Sequence, residues 1–115
     1  MQPPLYQLKA DFFRMLGHPV RIRVLELLQE GPRPVRDLLV DIGVEPSNLS
    51  QQLAHLRRAG IVVSIRQGST VRYALAGPDV ADLLLAARRI LTVLLADREQ
   101  LLEQLRRSDA ELDAS

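Results

Sequence analysis

The stretch PSNLSQQLAHLRRAG, Pro46–Gly60, decides how the rest of the chain is read. Its leucines fall at Leu49, Leu53 and Leu56, a spacing of i, i+4 and i+7 that lines one side of an α-helix. At about 100° per residue, Ser47, Ser50, Gln51, Ala54, His55 and Arg58 fall on or near the opposite side. That side is small, polar and basic. Between Pro46 and Leu75 there are four arginines and no Asp or Glu. Gly60 stops the helix. A rigid helix that shows short amides and hydroxyls, backed by Arg57 and Arg58, has the chemistry to enter a DNA groove.

Immediately upstream, Val35, Leu38, Leu39 and Ile42 repeat at i, i+3, i+4 and i+7 in a short helix that begins at Pro34 and breaks at Gly43. Val44-Glu45 is a tight connector. Two short helices joined by a few residues around a glycine are the signature of a helix-turn-helix. Two further helices precede them. Leu5 to Leu16 carries the stripe Leu5, Leu8, Phe12 and Leu16, widened by Phe13 and Met15, and Gly17 ends it. Pro19 opens the next, where its missing N–H is harmless in a first turn. Val20, Val24, Leu27 and Leu28 face inward there, with Ile22 and Leu25, until Gly31 and Pro32 close it.

Downstream the period changes to two. Ile61, Val63 and Ile65 alternate with Val62, Ser64 and Arg66, and after Gln67-Gly68-Ser69-Thr70 the residues Val71, Tyr73 and Leu75 alternate with Arg72 and Ala74. This is a β-hairpin. Matching the two apolar faces sets Ile65 opposite Tyr73 and therefore Arg66 opposite Arg72. Like charges across a ladder are unfavourable, so that register implies an anion such as phosphate between them in the working state. A last helix starts at Gly77-Pro78. Val80, Leu84, Ala87, Leu91, Leu94, Leu101 and Leu105 step by three and four, with Arg98 the one charged residue in the seam. A second stripe runs through Leu83, Ile90, Leu95 and Leu102. A small winged domain cannot cover both stripes, so the surplus face predicts a partner helix, most simply that of a second subunit. The polar residues Ser108 to Ser115 are expected to fray.

Whole-chain properties bound the rest. A length of 115 residues suits one domain, and 47% apolar with 3% aromatic content means an aliphatic core. The formal net charge is only +1. Its distribution is uneven, because Asp97 to Ser115 holds six acids and three arginines against the basic, acid-free middle. The middle is thus suited to an anionic partner. With no cysteine, disulfides, thiolate metal sites and thiol redox sensing within the chain are excluded. No signal-like or membrane-spanning apolar run is apparent, so the expectation is a cytoplasmic protein with no membrane partner.

LGHPVRIRVLELL (Leu16 to Leu28), SNLSQQLAHLRRAGIV (Ser47 to Val62) and RQGSTVRYAL (Arg66 to Leu75) together resemble the ArsR-type bacterial repressors, over about Leu5 to Leu95. The resemblance implies a winged helix-turn-helix homodimer, joined through its first and last helices, that binds double-stranded DNA. Ser47, Asn48, Ser50 and Gln51 match the family's DNA-contacting helix, and Arg66, Gln67, Gly68 and Arg72 match its wing. Two departures stand out. The family's thiolate motif falls where this chain has Leu38, Leu39 and Val40, and the last helix contains no histidine. Metal sensing is therefore expected to be absent, and no cofactor is implied.

Bland readings compete at single positions. Ser47 is either a DNA contact or an N-cap. Arg57 and Arg58 are read as phosphate contacts or surface salt-bridge partners rather than base readers, and His55 as solvent-facing or a backbone contact rather than a ligand. His18 before Pro19 is read as structural, and two lone histidines on different elements do not make a metal site. Tyr6, Phe12 and Phe13 are read as core and interface, with an effector pocket between the first and last helices as the other reading. Asp79 and Asp82 favour a helix N-terminus through its dipole. No catalytic constellation stands out, so an enzyme is not expected.

The expected fold is mostly α with a small β-hairpin, an α+β winged helix-turn-helix. Residues 1–108 form the DNA-binding and dimerisation domain and residues 109–115 a polar tail. The expected function is a dimeric, sequence-specific regulator, most simply a repressor on an inverted repeat, with recognition helix 47–59 and wing 61–75. Its DNA contacts are Ser47, Asn48, Ser50, Gln51, His55, Arg57, Arg58, Arg66, Gln67, Gly68 and Arg72. Its dimer contacts are Leu5, Leu8, Phe12, Leu84, Ala87, Leu91 and Leu94. A protein-docking winged module, and a sensor of a metal or small effector at a non-standard site, remain the alternatives.

Overall fold

The computed structural model describes residues 2–114. In order, the elements are α1 (Leu5–Leu16), α2 (Pro19–Leu28), β1 (Arg33–Pro34), α3 (Val35–Ile42), α4 (Pro46–Arg58), β2 (Val62–Gln67), β3 (Thr70–Leu75) and α5 (Asp79–Ala114). This is the mostly helical, winged helix-turn-helix order that the periodicities predict. Residues up to Ala81 form one compact unit and those from Asp82 onward a second.

The core of the first unit is aliphatic. Val24, Leu25, Leu27 and Leu28 of α2 are all buried, so α2 is enclosed on more than one side, and it packs against α3, α4 and β3. Leu38 of α3 and Leu49, Leu53 and Leu56 of α4 complete the core together with Leu16 and Val62. Each such side chain removed from water contributes about 1.5–3 kcal/mol, before entropy is counted. Breaks between elements follow glycine. Gly43 caps α3 in the left-handed region at φ 72°. At the end of α4, Gly60 N–H donates to the Arg57 carbonyl and Ile61 N–H to the Leu56 carbonyl, both at 3.0 Å. With Gly60 at φ 77°, this pair of bonds is a Schellman stop.

The wing differs from expectation in three respects. First, the sheet has three strands in the order β1-β3-β2, because Arg33 and Pro34 pair antiparallel with Tyr73 and Arg72. Two residues ending in proline carry no period-2 signal, and the strand exists only because β3 lies beside it. Second, the β2–β3 register is one residue away from the predicted one. Ser64 faces Tyr73, Ile65 faces Arg72 and Arg66 faces Val71. Arg66 and Arg72 therefore lie on opposite faces of the hairpin, and the anion expected between them has no site. The cause is the turn: Gln67 pairs with Thr70, leaving the two-residue loop Gly68-Ser69 with Gly68 at φ 62°. Third, the inward residue of β2 is Val62, 1% exposed, whereas Val63 and Ile65 are 42% and 37% exposed.

The second unit is helical from Asp82 to Ala114, and Ser115 lies outside the described residues. The polar residues past Ser108, expected to fray, continue as helix to Ala114. Along it Leu91 is 54% exposed and Leu94 56%, and Ile90, Leu95, Leu101, Leu102 and Leu105 are also exposed. On α1, Leu5, Tyr6, Leu8 and Phe13 are exposed, and the Phe12 and Phe13 rings meet edge to face at 5.7 Å. No described helix is long and apolar enough to cross a membrane.

Candidate nucleic-acid interface

Helix α4 begins at Pro46, with Glu45 as its N-cap. Glu45 makes no side-chain cap bond, and the carbonyl of Glu45 instead takes Leu49 N–H at 3.1 Å. Ser47 thus lies inside the first turn, and its reading as the N-cap is set aside. The three leucines sink into the core, and Ser47, Ser50, Gln51, His55, Arg57 and Arg58 are exposed, with Asn48 and Ala54 partly buried. No part of the first unit covers that outer face. Beyond Gly60 the chain enters the wing, where Arg66, Gln67, Gly68 and Arg72 are exposed. Polar groups at the start of α4 and cations at its end and on the wing are the ordering that separates base-edge contacts from phosphate contacts in helix-turn-helix proteins.

A polar relay holds the start of α4 from behind. Gln52 is 8% exposed, buried among the leucines of the core stripe. Arg21 Nε donates to Gln52 Oε1 at 2.7 Å, and Gln52 Nε2 donates to Asn48 Oδ1 at 3.0 Å. Arg21 Nη1 also donates to the Met15 carbonyl at 2.7 Å. The relay therefore joins the end of α1, the first turn of α2 and the first turn of α4. No buried side-chain nitrogen or oxygen among the described residues lacks a partner. Sequence reading missed both Arg21 and Gln52. Gln52 was legible, since Leu49, Gln52, Leu53 and Leu56 are i, i+3, i+4 and i+7, and a polar residue in an apolar stripe needs a partner. Nothing local to Arg21 marks it.

The two histidines have separate roles. His18 is the N-cap of α2, and its Nδ1 accepts from Val20 N–H at 3.2 Å, a structural role as expected. His55 is exposed, and its Nδ1 accepts from Arg58 Nη2 at 3.3 Å. Desolvation, then the charges of Arg21, Arg58 and His18, lower the His55 pKa below the usual imidazole value. That corner of the protein is electropositive. No group of three or more His, Asp or Glu side chains that could hold a metal converges among the described residues.

An exposed helix with its first turns polar and its last turn basic, followed by a three-stranded wing, defines a winged helix-turn-helix DNA-binding protein. Residues 18–64 match the bacterial regulatory proteins of the arsR family. The chain is 56% identical over 104 residues to the HTH-type transcriptional regulator Rv0081 of Mycobacterium tuberculosis, covering 90% of this chain and 91% of that protein. The crystal structure of M. tuberculosis Rv0081 is similar with a TM-score of 0.78 at 55% identity, over 84% of this chain and 98% of that one. The transcriptional repressor BigR from Xylella fastidiosa matches with a TM-score of 0.66 at 34% identity, over 77% and 88% of the two chains. The homodimeric winged helix-turn-helix domain Mb0332 from Mycobacterium bovis matches with a TM-score of 0.70 at 28% identity, over 79% and 84%. The chain belongs to the arsR family and is a DNA-binding transcriptional regulator.

Proposed function

We propose that this regulator is a cytoplasmic homodimeric repressor that occupies a promoter at an inverted repeat. In this reading each α4 enters a major groove and each wing lies against the backbone. The observation that carries it is the exposed, acid-free surface from Ser47 to Arg58, continuous through Gly60 with the wing arginines. Two-fold symmetry in the protein then requires two-fold symmetry in the site, with half-sites about one helical turn or a multiple apart. The homodimeric Mb0332 domain and the repressor BigR support the assembly and the sign of regulation. The domain of residues 1–108, with residues 109–115 as a polar tail, supplies both functions.

Gln51 is assigned to base reading, its amide able to donate and accept at an adenine edge. Ser47, Asn48 and Ser50 share that surface, while His55, Arg57, Arg58, Arg66, Gln67, Gly68 and Arg72 meet phosphate or sugar. The test is fluorescence anisotropy of the purified chain on duplexes from its own upstream region, against random duplex, over a salt series. Saturable binding that survives excess random DNA is expected. Gln51→Ala should relax sequence preference, and Arg66→Ala should weaken binding to every duplex and flatten the salt slope by about one. Equal losses for both variants on specific and random DNA would refute this division. No binding at moderate salt would instead favour a protein-docking module. A shift that changes with added metal would favour a sensor.

A further inference from the structure

The relay behind α4 has a direction. A guanidinium carries only donors, so whatever faces Arg21 Nε across 2.7 Å must accept, and that group is Gln52 Oε1. The amide of Gln52 is thereby fixed one way round. Its nitrogen faces Asn48 at 3.0 Å and donates, so Asn48 must meet it with Oδ1. The remaining group of Asn48, its NH2, has no acceptor among the described residues. Asn48 lies two residues beyond Pro46 in the first turn of α4, between exposed Ser47 and exposed Ser50.

We infer that Arg21 and Gln52 are positioning residues that fix the orientation of the Asn48 amide, so that a hydrogen-bond donor is the group it chiefly offers to DNA. The inference rests on the reading of the α4 surface as the base-facing one. An unconstrained asparagine pairs with adenine by donating to N7 and accepting from N6 at once. Asn48 is biased away from that pairing, because one lone pair of its Oδ1 is already held by Gln52 Nε2 while its NH2 is left without a partner. It is matched best to an edge that only accepts, such as guanine O6 and N7 or thymine O4, and less well to the amino groups of cytosine and adenine, for which only the second lone pair of Oδ1 is left. Specificity at one base pair of each half-site is thus set by a residue of α2 that does not itself lie on the DNA-facing helix. Both relay bonds also lie in a partly buried site, where an unmade bond is costly, so the orientation is held firmly.

Selection from a randomised duplex pool tests this. The wild-type chain should enrich a motif with an acceptor edge at one position of each half-site. Gln52→Glu replaces the donor with a second acceptor. The carboxylate still takes Arg21, but Asn48 must now turn its NH2 inward and expose Oδ1. The preference at that one position should switch to cytosine or adenine, by about tenfold, with the other positions kept. Asn48→Asp, a change at the partly exposed end, should move the same position without touching the buried site. It covers the case in which Gln52→Glu folds poorly. Arg21→Gln removes the guanidinium that sets the direction, and should broaden that position while circular dichroism stays unchanged and the lost charge weakens binding to every duplex alike. If the wild type enriches no motif, the base-reading assignment itself fails. If it does enrich one, and either Gln52→Glu or Asn48→Asp folds and enriches the same base with the same discrimination, the directed relay is refuted.

Discussion

His55 shows how one residue's surroundings become a measurable property of binding. It sits in the last turns of α4 with Arg58 on its Nδ1, and desolvation followed by the nearby positive charges keeps its imidazole neutral more readily than in a free peptide. Phosphate brought to that corner acts the other way, because a nearby anion favours the charged ring. Binding should therefore take up a proton. Affinity for DNA is expected to rise as pH falls through the range in which the bound-state histidine titrates, and His55→Ala should flatten that dependence at constant ionic strength. Folding has the opposite sign at the same residue. Its folded pKa lies below the unfolded one, so acidification through the usual imidazole range withdraws stability. The residue scale is also where sequence reading was most selective. Ser47, Ser50 and Gln51 were legible as an exposed polar face from angular spacing alone. The link from Gln52 to Arg21 spans 31 positions in the chain and leaves no periodic trace.

At the scale of elements, the stop after α4 is the joint on which the interface turns. Gly60 has open space where a Cβ would stand, but its φ is +77°, so any cost of a side chain there is purely conformational. Gly60→Ala should destabilise the fold by about 1–2 kcal/mol, read as a fall of several degrees in the thermal midpoint. Gly77 also has open space around it and no such backbone constraint. Gly77→Ala should leave the midpoint unchanged or slightly raised. The wing shows why element existence and element pairing differ in legibility. Ile61, Val62 and Val63 are three apolar residues in succession, so either phase of the alternation can be read from them. The turn decides between the phases. A two-residue loop at Gly68-Ser69 sets one register, and moving by one residue exchanges the faces of the whole strand. Arg66 and Arg72 consequently offer cations on both faces of the hairpin.

At the scale of the whole molecule, the open question in a single chain is what covers the apolar residues of α1 and α5. Leu5 is 65% exposed and Leu8 49% on α1, and Leu91 and Leu94 are more than half exposed on α5, with Phe12, Leu84 and Ala87 in the same predicted set. Association of two copies through these helices would remove that surface from water. The purified chain should sediment as a dimer at micromolar concentration. Leu91→Glu should yield a folded monomer whose affinity for a two-half-site duplex drops towards that for one half-site. A wild-type monomer under those conditions would overturn the dimer.

What the sequence determined by itself is everything that depends on local period and local stops. The apolar stripes at i, i+3 and i+4, the switch to period two after Gly60, and the segregation of arginines from acids were enough for the helix order, the wing and the exposed polar side of α4. The strand register turned on a loop length that the sequence leaves open, and only the tertiary structure decided the pairing of β1, the inward choice of Val62 and the relay from Arg21 to Asn48. The reason is that these depend on groups far apart in the chain being brought within hydrogen-bond range. A periodic pattern records which way a side chain points relative to its own backbone. It does not record what waits on the other side.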